Sequence, residues 1–225
     1  MTKVLVVVAH PDDEVLGCGG AIAKHVSNGD QVFVIFMADG VTSRDGHTPG
    51  NELDTRKKAA CNSCKILGTE TPVFLDFPDN QMDTVSLLSI VKKLEDEIKS
   101  IQPNVVYTHH SGDLNIDHRL THQAVMTVFR PIPGQSVKKI YTFEVLSSTE
   151  WNSGSFNRPF IPNYYVDITA TIDTKLLALD EYREEMSDYP HSRSTEAVIA
   201  LSKYRGATVG INSSEAFMLE RELSV

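Results

Sequence analysis

Only three cysteines and a single tryptophan occur in 225 residues. An odd and sparse cysteine count excludes a disulfide-built scaffold. Cys61 and Cys64 form a C-x-x-C, but no second pair completes a zinc ribbon. The pair lies inside a helical pattern, so both thiols are expected to pack as small apolar groups. No apolar run reaches the ~18 residues of a membrane span. There is no basic run either, and the net charge of −9 argues against a nucleic-acid-binding surface. The chain enters its first apolar strand without a charged-then-apolar leader, so a cytoplasmic protein is expected. Repeats and low-complexity stretches are absent. What remains is an ordinary globular composition, 41% apolar and 23% charged. Its length suffices for one sizeable α/β domain, so a single domain over 1–225 is expected.

The densest chemistry follows the first strand. Val4 to Val8 is an unbroken apolar run, which reads as a buried strand. It ends in His10-Pro-Asp-Asp-Glu14, one imidazole and three carboxylates in five positions. Val15 to Asn28 then shows apolar residues at helical spacing. Ligands in open α/β sheets bind beyond the carboxyl ends of strands, so this loop stands where chemistry is usually done. Three readings are open from the residues alone. The loop is a divalent metal site with a spare carboxylate as base, a phosphate loop, or a solvated acidic turn capping a helix. The phosphate reading fits poorly. Gly17, Gly19 and Gly20 give G-x-G-G, with Ile22 where the third glycine belongs, and three carboxylates would repel a pyrophosphate.

Strands and helices then alternate. Strands are expected at Gln31 to Met37, Pro72 to Asp76, Asn104 to Thr108 and Lys139 to Val145. Helices are expected at Glu52 to Leu67, Val85 to Ser100, Asp117 to about Val128, Thr174 to Met186 and Ser194 to Tyr204. This alternation predicts an α/β fold with a mostly parallel sheet covered on both faces. The polar loop Gly40 to Asn51, with Arg44, Asp45 and His47, is expected to form one wall of a site. Residues 147 to 164, with Trp151, read as a cover over it. His191 and Arg193, in the turn between the last two helices, stand where they can reach a bound substrate.

A second dense stretch, His109 to His118, leaves the fourth strand with seven metal-, proton- or hydroxyl-binding groups in ten residues. Asp117 and His118 open the helix that follows. The helix dipole disfavours a cation at that end, which suits a neutral imidazole donating its lone pair to metal.

Ala9-His-Pro-Asp-Asp-Glu14 at the end of a first strand resembles the signature of the PIG-L/LmbE-like family of zinc-dependent N-deacetylases. The Asp117-His118 pair, Arg56 ahead of an Ala-rich helix, Asp79-Asn80 and the late Ala216-Phe217 extend the resemblance along the chain. It implies a Rossmann-like three-layer sandwich and a Zn2+ site of His10, Asp13 and His118, although this ligand set accepts other divalent metals. Asp12 becomes the general base, and Asp117 the group that orients the histidines. Adjacent Asp12 and Asp13 have diverging side chains, which allows one to bind metal and the other to face the water. Many members carry a histidine three residues before the last ligand. Here Asn115 stands there, able to donate to an oxyanion but not to protonate a leaving amine; Asp12 then acts in both directions, or His109, His110 or His191 supplies the proton. A second departure is Ala59, where relatives often carry a glutamate. Arg56, Asp79, Asn80, His110 and His191 are expected to face the substrate.

The expected function is zinc-dependent removal of acetyl from an N-acetylated amino sugar or glycoconjugate, with a homo-oligomer implied by the resemblance. The alternatives are an amidase on another small amide, or a non-catalytic nucleotide- or metal-binding Rossmann-like protein.

Overall fold

The computed structural model describes residues 1–41, 49–154 and 158–224. The chain runs β1 (Lys3–Val8), α1 (Asp13–Ser27), β2 (Gln31–Ala38), α2 (Pro49–Leu67), β3 (Val73–Phe77), α3 (Leu87–Ile98), β4 (Val105–His109), α4 (Ile116–Val128) and β5 (Lys139–Phe143). It continues through β6 (Tyr164–Asp167), α5 (Ile172–Asp180), α6 (Thr195–Ala207) and β7 (Ser214–Glu222). The strands form one sheet in the order β3-β2-β1-β4-β5-β7-β6. β1 to β5 pair in parallel, while β7 is antiparallel to both β5 and β6. This is the mostly parallel, helix-covered sheet that the alternating pattern predicts.

Successive strand residues point to opposite faces, and β1 divides its side chains between two cores. Val4, Val6 and Val8 join the core beneath α1, α2, α5 and α6. Leu5 and Val7 join the core beneath α3 and α4. A strand buried on both faces must read as a continuous apolar run, and β1 does.

Some elements differ from expectation. β6 and β7 had no sequence signal. β6 is four residues long, and β7 buries only its first half, while Glu220 and Glu222 carry its outer half toward solvent. The helix expected over Thr174 to Met186 stops at Asp180 and resumes only as a 3-10 turn, Arg183–Glu185. Tyr182 interrupts it: its ring is buried and its hydroxyl donates to Glu14 at 2.7 Å. On α2 the buried apolar residues include Ala60, Cys64 and Leu67, so Cys64 packs while Cys61 faces solvent. The expectation of two packed thiols holds for one. The wall expected from Arg44, Asp45 and His47 lies outside the described residues.

α1 is broken at Cys18, whose φ of −149° leaves helical geometry. The inner half therefore starts with its own unpaired N–H groups. Glu215 of β7 accepts from Gly20 N at 2.9 Å and Ala21 N at 2.7 Å. Lys175 of α5 pairs with Glu215 at 2.6 Å and donates to the Leu16 carbonyl at 3.0 Å, closing the break from the other side.

Candidate metal centre and catalytic cavity

β1 and β4 are neighbours, yet α1 packs on one face of the sheet and α4 on the other. The crevice at such a reversal is where open α/β sheets bind ligands. Both dense loops of the sequence leave the sheet there.

Each imidazole is turned by a carboxylate. His10 donates through Nε2 to Asp117 at 3.0 Å, with Asp79 at 3.1 Å from the same nitrogen. Asp117 is itself fixed by the backbone N–H groups of Asn80 (2.6 Å) and Met82 (3.0 Å). On the other loop, His118 Nδ1 faces Asp113 at 3.1 Å, and Asp113 also accepts from the hydroxyls of Ser148 and Thr149. The remaining nitrogens, His10 Nδ1 and His118 Nε2, then face Asp13 Oδ2 at 3.4 and 3.3 Å. His10, Asp13 and His118 thus offer ligand atoms within 4.8 Å of one another. Asp13 Oδ1 is buried without a partner. A carboxylate behind each ligating imidazole is the usual support of a metal site.

The electrostatics favour a cation at these nitrogens, whether proton or metal, so the neutral His118 expected from the helix dipole is overruled by the carboxylates around it. Burial opposes charge on His118, but Asp13 and Asp113 outweigh it and lift the imidazole to about 9. His10 is raised well above the ordinary histidine value, where Asp117, Asp13 and Asp79 overcome the same burial cost. Asp13 is held well below the carboxylate range, because His118 and His109 overcome its burial. His109 differs. Burial and the neighbouring His118 push it down to about 4, and it stacks on the His118 ring at 3.9 Å while its Nε2 accepts from Ala9 N.

Asp12 sits beside this cluster in an unusual backbone state. Its φ is +119°, a region that side chains rarely occupy and that costs of order 1–3 kcal/mol. Glu14 holds it there by accepting Asp12 N–H at 3.0 Å. Ser63 and Tyr182 in turn donate to Glu14, whose carboxyl is pushed up to about 7 by burial. Asp12 Oδ2 meets Arg193 at 3.0 Å and Arg56 at 3.3 Å, and Oδ1 is buried without a partner. Burial raises the Asp12 carboxyl despite both arginines.

A cavity of about 210 Å3 opens here, with a lining that includes His10, Asp12, Arg56, Asn115, His118 and Arg193. Asp79 and Asn80 line it as well, so most residues expected at the site meet in one space. Arg56 is buried and committed to the Pro11 carbonyl, Asp12 and Glu185. Asn115 caps α4 by accepting Asp117 N–H and donates to Asn80 Oδ1 at 2.8 Å. The structure does not bring His110 into the cavity: it is buried against Phe160 and faces the Arg158 carbonyl at 2.9 Å. His191 is exposed and lies outside the lining, its ring against Trp151. Asp113, Ser148 and the Arg193–Asp12 pair are what sequence reasoning missed. Asp113 was one of many polar residues in its stretch, and Arg193 reaches Asp12 across 181 positions.

Comparison with known proteins supplies the lineage of this arrangement. The PIG-L family profile, described as GlcNAc-PI de-N-acetylase, matches residues 5–129. The uncharacterized deacetylase YaiS of Escherichia coli K12 is 31% identical over 186 residues, covering 80% of this chain and 90% of that one. The diacetylchitobiose deacetylase of Thermococcus kodakarensis is 28% identical over 84% of this chain and 70% of its own length. In fold, the 4-carboxy-2-hydroxymuconate hydratase GalB of Pseudomonas putida KT2440 superposes with a TM-score of 0.79 at 22% identity, covering 100% of this chain and 98% of that one. With a family match over more than half its length and both loops of the site inside that match, the chain belongs to the PIG-L/LmbE-like family of N-deacetylases.

Proposed function

We propose that this chain is a zinc-dependent hydrolase that removes the acetyl group from an N-acetylated amino sugar or glycoconjugate. The observation that carries the reading is the convergence of His10, Asp13 and His118 beside the unpartnered oxygen of Asp12. The donor set fits a catalytic zinc: two imidazoles held by carboxylates, one carboxylate with an unused oxygen, and a cavity beside them. Bound there, zinc supplies a Lewis acid for the acyl oxygen and lowers the pKa of a water toward ~7.

The protein's own residues divide the remaining work. Asp12 is the base that removes the proton from the attacking water. Its burial raises its affinity for that proton, and the two guanidiniums on Oδ2 leave Oδ1 to receive it. As the tetrahedral carbon collapses, the same carboxyl returns the proton to the departing amine nitrogen. Asp12 acts in both directions because, among the described residues, no imidazole outside the ligand set is placed to share the task. His109 is buried and held neutral, His110 faces away, and His191 lies outside the cavity lining. Asn115 gives one amide hydrogen to Asn80, leaving the other for the acyl oxygen. Asp79 and Asn80 accept and donate to sugar hydroxyls, and Asp117 acts through the ring of His10. Arg56 and Arg193, the arginines of the lining among the described residues, are engaged by Asp12, which favours an uncharged polyhydroxyl ligand over a dicarboxylate. A cytoplasmic homo-oligomer is part of the same reading.

The test pairs metal analysis of protein purified without chelator with acetate release from N,N′-diacetylchitobiose. About one zinc per chain together with acetate is expected. Zinc without acetate from this or any other N-acetyl sugar would overturn the substrate class. Failure to take up any divalent metal on reconstitution would overturn the catalytic reading altogether.

A further inference from the structure

The cavity of about 210 Å3 is small beside the ~300–1,000 Å3 of most ligand sites. It accommodates one sugar unit around the reacting amide, and any second ring has to lie beyond its rim. Two segments form one side of that rim. Ser147 and Ser148 line the cavity and lead directly into the turn Thr149–Trp151. Arg193 lines it from the other segment and accompanies His191, whose Nδ1 accepts Arg193 N–H at 3.0 Å. Arg193 Nε donates to Ser147 Oγ at 2.8 Å, tying the two segments together. Just outside this tie, Trp151 and His191 meet edge to face, with ring centroids 5.7 Å apart.

We propose that Trp151, with His191 set edge to face against it, forms a stacking platform for the second sugar ring of a substrate whose first ring occupies the cavity. The proposal rests on the deacetylase reading for the identity of the first ring. Trp151 is the chain's only tryptophan and is 53% exposed, so its large ring contributes little to the core. Its mounting is nonetheless rigid. Glu150 accepts the N–H groups of Ser147 and Ser148, and Thr149 donates to Asp113 at 2.5 Å while accepting Val145 N–H. Asp113 is the carboxylate behind His118, so the aromatic ring and the metal-ligating ring are positioned from one anchor. An exposed aromatic face beside a strongly polar cavity suits a pyranose, which presents an apolar C–H face and a rim of hydroxyls. It suits a wholly apolar ligand poorly.

The sole tryptophan makes the test direct. Titration with chitobiose, the fully deacetylated disaccharide, is expected to shift and intensify the Trp151 emission, whereas glucosamine leaves it unchanged. In steady-state assays Trp151→Ala is expected to raise KM for N,N′-diacetylchitobiose roughly three- to tenfold, the weight of one aromatic contact. Its kcat and its kinetics on N-acetylglucosamine should not move, and Trp151→Phe should restore most of the loss. Equal loss on both sugars, or no loss on the disaccharide, overturns the platform. So does an emission that follows protein concentration rather than sugar, which would assign Trp151 to contact with a second copy of the chain. If the wild type releases acetate from neither sugar, the deacetylase reading fails, and the fluorescence titration decides the platform alone: a disaccharide-specific change upholds it, and none overturns it.

Discussion

Asp12 and Asp13 share a chemistry and a backbone, yet their surroundings separate them completely. Asp13 is faced by three imidazoles and held acidic, whereas Asp12 is faced by two arginines, strained in its backbone and made more basic by burial. Asparagine tolerates positive φ well and preserves the shape of the side chain. Asp12→Asn is therefore expected to retain metal while losing about 10²- to 10⁴-fold in kcat, the usual weight of a general base. Loss of metal from Asp12→Asn and its retention by Asp13→Asn would exchange the two roles. Asp113 makes a different prediction. It touches no ligand position itself but turns His118, so Asp113→Asn should weaken zinc affinity about 10- to 100-fold, as outer carboxylates of metal sites do. A competition titration with a chelator reads that change; unaltered affinity would show that packing alone orients His118.

Among the elements, α1 carries the closest packing. A Cβ at Gly17 would stand 2.3 Å from the ring of Phe143, which is fully buried in β5 and has nowhere to go. Gly17→Ala is expected to cost at least the ~1–3 kcal/mol of ordinary overpacking, seen as a lower denaturation midpoint with an unchanged denaturant slope. A stability within error of wild type would mean that α1 lifts off the sheet freely. The same element shows what a sequence can and cannot disclose. The apolar run of β1 and the helical spacing after it are local signals, and they place the first loop correctly at the sheet edge. The break at Cys18 stands among Gly17, Gly19 and Gly20, but the groups that close it, Lys175 and Glu215, lie far along the chain and have no local signal. Asp117 and Asp113 both stand in a dense polar stretch, and only the packing against β1 shows which carboxylate serves which histidine. The expected lid at 147 to 164 contributes Ser147 and Ser148 to the lining, and its last residue, Tyr164, opens β6 at the sheet edge. Its spacing carried no strand period long enough to announce the latter.

For the molecule as a whole, the carboxylates that surround the histidines set a competition between proton and metal. His118 binds its proton up to about pH 9 in the metal-free protein, and His10 is raised in the same direction. A metal at those nitrogens must displace that proton. Below pH 9, apparent zinc affinity should therefore fall as pH falls, about tenfold per pH unit for one proton displaced and more steeply if His10 also releases one. Zinc titrations between pH 6 and 8, with proton release measured in weakly buffered solution, check the sign and the count. An affinity independent of pH would mean that the metal binds elsewhere. Among the described residues, no helix is long and apolar enough to cross a membrane.

The closure of the break in α1 also fixes an order of events during synthesis. The loop that bears His10, Asp12 and Asp13 is synthesised before the residues that complete it. The helix behind it is completed by Lys175 and Glu215, and Asp12 receives its partner Arg193 from the same late region. Until those residues emerge, the helix break keeps bare N–H groups and the strained aspartate lacks one of its two counter-charges. A nascent chain halted between α1 and β7 has every residue of the first loop and no finished site. β7 thus acts as a timing device, and metal captured before it is made would meet no competent pocket.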